Sequence, residues 1–222
     1  KQIVYGGNDG IVTTFAIVAG FAGASAEGAG QVGALAVLVF GLANLFADAV
    51  SMGLGEYLST RSQADLYAAQ RLRQLRELAE NPAQERAELE QMLRDRGLPR
   101  PRAAAAAEIL MSSPELVADM MMTYEMEMYD MRTAHPAAEG LSTFGAFVLF
   151  GAIPLVPYFL LPATLPATFW LSVAATFSAL VALGLLRWRA TREGVARCVG
   201  ETVAVGGVCA LVAFAVGALV GG

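Results

Sequence analysis

Three side chains that can bind a metal ion recur at intervals of four residues: Asp48, Met52 and Glu56. On an α-helix, positions four apart drift by only about 40° per step, so these side chains lie along one stripe. They belong to an apolar stretch, Leu35 to Leu58, that is long enough to cross a bilayer. A carboxylate at the bilayer centre costs roughly 2.5–3.5 kcal/mol on insertion scales, so it needs a partner or a purpose. Two acids with a thioether between them indicate a path for a divalent cation.

The composition is that of a membrane protein. Hydrophobic residues make up 56% of the 222 residues, the mean hydropathy is +0.52, and only 16% of residues are charged. A soluble domain carries about 25% charged residues. Four apolar blocks are nearly free of charge, and a turn around Pro162–Pro166 divides the third block in two. The blocks cover residues 10–26, 33–47, 141–186 and 202–222. We therefore predict an all-α, polytopic membrane protein with five transmembrane helices.

The distribution of basic residues predicts the orientation. Of the 15 lysine and arginine residues, ten lie between the second and third predicted spans and four join the fourth to the fifth. Because positive residues stay on the cytoplasmic side, we expect the N-terminus and the insertion to be cytoplasmic. The predicted parts are transmembrane helices one and two (1–58), a cytoplasmic helical metal-binding domain (59–138) and transmembrane helices three to five (139–222). An arginine-rich, lysine-poor composition favours a bacterial inner membrane, and a vacuolar membrane has the same topology.

The cytoplasmic insertion predicts three helices after the helix of the second span, which runs on to Glu80. Asn81 and Pro82 predict the start of the first, which ends near Gly97. An alanine-rich helix covers residues 102–111. The last helix starts after Ser113 and Pro114 and is predicted to reach about residue 132.

Acids and methionines of the insertion are spaced so that they share helix faces. Glu85 and Glu88 are three residues apart, and Glu77 lies one turn from Gln74. On the last helix, Met121, Met122 and Glu125 share a turn. Carboxylates suit hard ions and thioethers favour softer ones, so the mixed set favours Fe²⁺, with Mn²⁺ and Zn²⁺ as alternatives. A helical hairpin with Glu–Arg ion pairs and a methionine core explains the same spacing.

Two further motifs lie in the first and second predicted spans. The first span opens with the sequence NDGIVTT, in which Asn8 and Asp9 either cap the helix or bind a ligand at its entry into the membrane. The second span contains the run ADAVSMGLGEYLS over Ala47–Ser59. Together with the Glu/Met-rich insertion, these motifs resemble the vacuolar iron transporter family, and the resemblance covers nearly the whole chain.

The resemblance implies a five-span homodimer with a pore between the first two spans of the two copies. It implies export of cytosolic Fe²⁺ in exchange for protons, with no prosthetic group. Asp9 and Met52 are then pore ligands, and Glu56 lies near the cytoplasmic mouth. The implied cytoplasmic metal ligands are Glu77, Glu85, Glu88, Met121, Met122 and Glu125.

Two positions depart from the family pattern. Asn44, one turn before Asp48, occupies a place where a pore carboxylate is expected, and Gln74 occupies one where a glutamate would pair with Glu77. Asp48 lies on the same stripe as Asn44 and can replace the missing acid. Gln74 still offers a neutral oxygen. Both are therefore secondary candidates for metal ligands.

Other function classes fit less well. A di-iron enzyme of the bundle type uses Glu-x-x-His pairs, and the chain has a single histidine, His135, before Pro136. A membrane-anchored metal sensor or scaffold predicts spans without acids, which Asp48 contradicts. Nucleic-acid binding is not expected, because basic residues alternate with acids. A transporter that prefers Mn²⁺ remains an alternative of the same class.

Two further expectations concern the third span. Gly151, Pro154 and Pro157 predict a kink. Glu139 at its start and Glu201 at the start of the fifth span are interpreted as interfacial acids.

Overall fold

A computed structural model describes residues 2–26, 34–162 and 165–221. Residues 27–33, which join the first two predicted spans, and residues 163 and 164 of the predicted turn around Pro162–Pro166 lie outside the described residues. The chain divides into two compact units. Unit 1 comprises Lys1–Tyr57 with Ala137–Gly222, and unit 2 comprises Leu58–Pro136.

The regular elements of the described residues are all helical, which confirms the predicted all-α class. In chain order they are α1 (Gln2–Ala26), α2 (Ala34–Glu80), α3 (Pro82–Asp95), α4 (Arg100–Leu110), α5 (Pro114–Tyr124), α6 (Pro136–Gly151), a 3₁₀ helix (Ile153–Leu155), α7 (Val156–Leu160), α8 (Pro166–Thr191) and α9 (Val195–Gly221). Five segments within these ranges are long and apolar enough to cross a membrane: α1, α2, α6 with α7, α8 and α9.

Unit 1 is held together by close backbone contacts between helices. A Cβ atom on Gly217 of α9 would lie 2.0 Å from the Gly20 carbonyl oxygen of α1, and one on Gly10 would lie 2.5 Å from the Phe147 carbonyl oxygen of α6. Only glycine permits such an approach, which is how membrane helices gain packing where lipid offers no hydrophobic drive. The small residues of α1 thus pack against α9 and α6 of the same chain.

The third span is interrupted rather than merely bent. α6 ends at Gly151, a 3₁₀ turn follows, and α7 begins at Val156. Pro154 and Pro157 lack backbone N–H groups and therefore cannot continue the α-helical hydrogen bonds. Ser172 of α8 donates its hydroxyl to the Pro154 carbonyl oxygen at 2.6 Å, which satisfies a backbone acceptor at the break.

Unit 2 has its own apolar core, in which α3, α4 and α5 and the end of α2 meet. The fully or nearly fully buried residues are Leu78, Leu89, Met92, Ala107, Val117, Ala118 and Met121. α3 ends as predicted, with Gly97 in the left-handed region at φ +99°.

The predicted end of the last helix of unit 2 is wrong. α5 stops at Tyr124 rather than near residue 132. The amide N–H groups of Glu125 and Met126 both bond to the Met121 carbonyl oxygen, and Glu127 then adopts a left-handed backbone at φ +52°. The sequence has no glycine or proline at this helix end, because Glu127 adopts the left-handed conformation that glycine usually takes.

Candidate metal sites

Two acids from different helices are half-buried inside unit 1. Asp48 lies on α2 and Asp9 lies on α1. Both helices pack against α6. Phe147 of α6 contacts Leu45 and Ala49 of α2, and Gly10 of α1 contacts the backbone of Phe147. Two half-buried carboxylates in an apolar bundle are suited to binding a divalent cation.

Asp48 is held by the residue one turn before it. The Asn44 side-chain amide donates to Asp48 Oδ2 at 2.7 Å. The asparagine that departs from the expected pattern thus orients the acid on its own helix, as partners of metal-binding carboxylates commonly do. Next along the stripe, Met52 is half-buried and packs against the cluster of Leu45, Ala49 and Phe147.

Asn8 has a buried amide oxygen with no hydrogen-bond partner among the described residues. It directly precedes Asp9 on α1. A buried acceptor without a donor is uncommon in folded proteins. Such an oxygen could be satisfied by a water or a cation.

Glu56 belongs to a contact that sequence patterns did not predict. The Gln2 amide nitrogen donates to Glu56 Oε1 at 3.3 Å and to Glu139 Oε2 at 2.7 Å. One amide therefore bridges two half-buried carboxylates, and α1, α2 and α6 meet at that point. The sequence predicts an interfacial acid at Glu139. The Gln2 amide that donates to it lies 137 positions away, and no local signal links the two residues.

Unit 2 brings three of the predicted acids close to a fourth, Glu85. Glu85 is 4% exposed, and its Oε2 accepts a hydrogen bond from the Gln74 amide at 2.6 Å. Burial raises the pKa of Glu85, and the charges of Glu88, Glu77 and Glu125 raise it further. The Gln74 hydrogen bond acts in the opposite direction. Gln74, the second departure from the pattern, is thus the direct partner of the most buried acid.

The other three acids of this group are more accessible. Partial desolvation of the carboxyl, followed by the charges of Glu88 and Glu77, raises the pKa of Glu125, although the residue as a whole is exposed. Glu77 accepts a hydrogen bond from Arg73 at 2.9 Å, and Glu88 accepts one from Gln84 at 2.9 Å. Mutual repulsion within the group favours any cation that can neutralise it.

The two methionines predicted as ligands are fully buried. Met121 lies in the apolar core of unit 2, and Met122 has no exposed surface either. Among the described residues, no three carboxylate, thiol or imidazole groups lie close enough together to hold a metal ion. The described acids of unit 2 therefore repel one another electrostatically but do not form a closed coordination shell. His135, the single histidine, is exposed.

Residues 1–218 match the VIT family. The chain is 33% identical to "Vacuolar iron transporter 1" of Arabidopsis thaliana over 96% of its own length and 83% of that protein. It is 32% identical to "Vacuolar iron transporter" of Toxoplasma gondii, over 99% of this chain and 73% of that protein. It is also 32% identical to "Vacuolar iron transporter 1" of Eucalyptus grandis, over 96% and 83% of the two chains.

Proposed function

The chain belongs to the VIT family, whose members are transporters rather than enzymes, and from that premise we propose that it exports Fe²⁺ from the cytosol in exchange for protons. The observation that carries the proposal is that two acids, Asp9 and Asp48, are half-buried in helices that are long enough to cross a membrane and that both pack against α6. An anchor without transport has no use for acids from two helices at that depth.

Met52 supports a preference for Fe²⁺ over Mg²⁺ and Ca²⁺. Thioether sulfur is a soft ligand that binds the later transition metals better than the hard alkaline-earth ions. Met52 lies one turn from Asp48 and is half-buried, so it can contribute to the same path. Mn²⁺ and Zn²⁺ are the competing ions on this argument. Asn44 and Asn8 would add neutral oxygen atoms near the acids.

Exchange for protons follows from the chemistry of buried acids. A carboxylate in a low-dielectric site avoids bare charge either by binding a proton or by binding a cation. Metal binding requires deprotonated ligands and so releases protons. Asp9, Asp48 and Glu56 are therefore the proposed proton carriers. A cycle that alternates between metal-loaded and proton-loaded forms never leaves the charge of the site uncompensated.

Unit 2 is proposed to collect the metal before transport. Its ligands would be Glu77, Glu85, Glu88, Glu125 and, with rearrangement of α5, Met121 and Met122. The support is the mutual repulsion of the four acids, which a divalent cation would relieve. Gln74 would provide a neutral oxygen beside Glu85. Ten arginines between the second and third spans support a cytoplasmic position for this unit.

A homodimer is proposed because one face of α2 is exposed and made of small residues. These residues are Ala43, Ala47, Ser51 and Gly55, all of them exposed and four positions apart. The stripe is rotated by about 100° from Asn44, Asp48, Met52 and Glu56. Small residues at this spacing allow two membrane helices to approach closely. Pairing of two α2 helices would place the candidate ligands of both copies along one path.

The test is metal uptake by the full-length protein in liposomes that contain a pH-sensitive dye. Fe²⁺, Mn²⁺, Zn²⁺ and Ca²⁺ are compared for the wild type and for Asp48→Asn and Met52→Leu. The expected result is Fe²⁺ movement coupled to proton movement in the opposite direction. Asp48→Asn should abolish Fe²⁺ uptake. Met52→Leu should lower the ratio of Fe²⁺ uptake to Ca²⁺ uptake.

Asp65→Asn is the matched control, because Asp65 lies on the same helix with a side chain that is 77% exposed. It should leave uptake unchanged. A wild type that binds Fe²⁺ but transports no ion would replace the transport proposal with that of a membrane-anchored sensor or scaffold. Metal uptake without any change in internal pH would contradict the proposed proton exchange and would still support metal transport.

A further inference from the structure

Asp119 of α5 is the centre of a charge network in unit 2 that contains none of the candidate metal ligands. Its Oδ1 accepts a hydrogen bond from Arg71 Nε of α2 at 2.7 Å, and its Oδ2 lies 2.9 Å from Arg132 Nη2. Arg71 also pairs with Glu115, and Arg132 pairs with Asp130 at 2.7 Å. A single ion pair on a surface contributes little, but a network around an acid whose side chain is only 28% exposed holds its members more firmly.

The network closes a loop of chain at the end of α5. Residues 125–132, here called the return segment, follow α5 and bring Arg132 back to Asp119. The Gln70 amide of α2 donates to Met126 Sδ at 3.3 Å, so the return segment is also attached to α2 directly. Asp119 thus joins α5, the return segment and α2 at one carboxylate.

The backbone of the return segment is held in a costly conformation. Glu127 has a left-handed backbone at φ +52°, which residues other than glycine rarely adopt. Such a conformation persists only where the surrounding contacts determine it. The ion pair between Asp119 and Arg132 is one of these contacts, so its loss should let the return segment relax.

Glu125 is the first residue of the return segment. Among the four acids proposed as metal ligands in unit 2, it is the one that neither α2 nor α3 carries. It is exposed, so it can meet a cation without movement of α5. The charges of Glu77 and Glu88 raise its pKa, which indicates that it lies near the acids of α2 and α3. Its distance from those acids depends on how the end of α5 and the return segment are held.

We propose that Asp119 is a positioning residue for the metal site of unit 2. By joining α2 to both ends of the loop, it holds Glu125 beside the acids of α2 and α3. The proposal rests on the proposed collection of metal by unit 2 and adds to it a residue that is not itself a ligand. Both carboxylate oxygens of Asp119 already bond to arginines, which makes it unsuited to bind the metal directly.

The test measures Mn²⁺ binding to the full-length protein in detergent through the EPR signal of free Mn²⁺. The background is Asp9→Asn/Asp48→Asn, which removes two of the acids proposed to bind metal in unit 1. Asp119→Asn should raise the Kd for Mn²⁺ about 10-fold, the lower end of the loss seen when a group that orients a ligand is removed. Arg132→Gln should raise the Kd as well, and it leaves the bond between Asp119 and α2 intact.

A double-mutant cycle separates positioning from a general loss of structure. Glu125→Gln removes the charge that Asp119 is proposed to position. In that variant, Asp119→Asn should have no further effect on the Kd, because its effect passes through Glu125. A general loss of structure would instead weaken binding equally with and without the Glu125 charge.

The conformation of the return segment gives a rescue experiment. Glu127→Gly should restore part of the affinity that Asp119→Asn loses, since glycine adopts the left-handed conformation readily. Glu127→Gln removes the same charge without that freedom and should restore none.

Glu108→Gln is the matched control, because Glu108 pairs with Arg86 between α4 and α3 and is not part of the network around Asp119. It should bind Mn²⁺ like the background protein. An unchanged Kd in Asp119→Asn, or equal losses with and without Glu125, would overturn the role of Asp119 and leave the metal site of unit 2 in place. A background protein that binds no Mn²⁺ would overturn metal collection by unit 2 itself, and the role of Asp119 with it.

Discussion

At the level of single residues, the position of Glu56 depends on the amide of Gln2, which also bonds to Glu139. Gln2→Leu keeps the approximate size and removes the donor. Two half-buried carboxylates would then repel each other and lose their fixed orientation. Loss of a group that orients a metal-binding residue typically costs 10–100-fold in metal affinity or activity. We expect the KM for Fe²⁺ to rise about 10-fold in liposome uptake, with a smaller change in kcat.

Gln63→Leu serves as the control for this change, because Gln63 is exposed and its side chain bonds, within the described part of the chain, only to Ser59 of α2. In the Gln2→Leu background, Glu139→Gln removes one of the two charges and should recover part of the lost affinity. An unchanged KM in Gln2→Leu would show that Gln2 does not position Glu56 for transport.

Glu85 illustrates a conflict between stability and binding. Its pKa is raised in the folded protein by burial and by neighbouring acids. A carboxyl whose pKa is higher folded than unfolded stabilises the fold below the unfolded pKa, and this contribution is lost as the pH rises through the folded pKa. The contribution of Glu85 to the stability of unit 2 therefore decreases as the pH rises.

Glu85→Gln should raise the unfolding temperature at neutral pH in the presence of a chelator, on the order of 2 °C for a chain of this size. The glutamine still accepts the hydrogen bond from Gln74. The gain should fade as the pH falls below the ordinary range of glutamate. Added Fe²⁺ should stabilise the wild type more than the variant if Glu85 is a ligand as proposed, since the variant lacks its charge.

Glu80→Gln is the matched control, because Glu80 is exposed at the end of α2. It should change neither the unfolding temperature nor the response to Fe²⁺. A lower unfolding temperature for Glu85→Gln would contradict the assignment of an electrostatic cost to Glu85.

At the level of the helices, the break in the third span lies against the two helices that carry Asp9 and Asp48. A Cβ atom on Gly151 would lie 2.5 Å from Leu45 Cδ1 and 2.8 Å from the Gly10 carbonyl oxygen. Gly151→Ala must therefore push α6 away from α1 and α2. Overpacking of this kind costs about 1–3 kcal/mol. We expect a lower unfolding temperature and a marked loss of Fe²⁺ uptake.

Gly145→Ala on the same helix is the control, since nothing lies within 4 Å of a Cβ atom at Gly145. It should preserve uptake and stability. Full uptake by Gly151→Ala would mean that the spacing of α6 from α1 and α2 is not needed for transport.

The elements differ in how far the sequence predicts them. Proline after a capping residue marked the starts at Pro82 and Pro114, and the structure places α3 and α5 there. The end of α5 was missed because Glu127, not a glycine, takes the left-handed conformation. For the candidate sites, the stripe of Asp48 and its neighbours was predictable because it lies within one helix. The contact of Gln2 with Glu139 was not, because it depends on how three helices pack.

At the level of the whole molecule, the small-residue face of α2 predicts a specific pairing. Two small residues of α1, Gly20 and Gly23, pack against α9 of the same chain and are therefore already used within one copy. The exposed face of α2 remains available, and a Cβ atom at Gly55 would contact nothing within 4 Å. Two copies should therefore meet along α2.

Ser51→Cys, in a background in which Cys198 and Cys209 are replaced by alanine, tests this pairing in membranes. Two Cα atoms closer than about 7 Å permit a disulfide, so oxidation should yield a covalent dimer. Ser178→Cys is the matched control, because Ser178 is an exposed serine on α8, away from the proposed face. It should remain monomeric on oxidation.

Gly55→Leu should reduce both the cross-linking at position 51 and Fe²⁺ uptake, because the added side chain separates the two α2 helices that would carry the metal path. Efficient cross-linking at position 178 but not at position 51 would assign the dimer to α8 and leave the acids of α2 without a second copy opposite them.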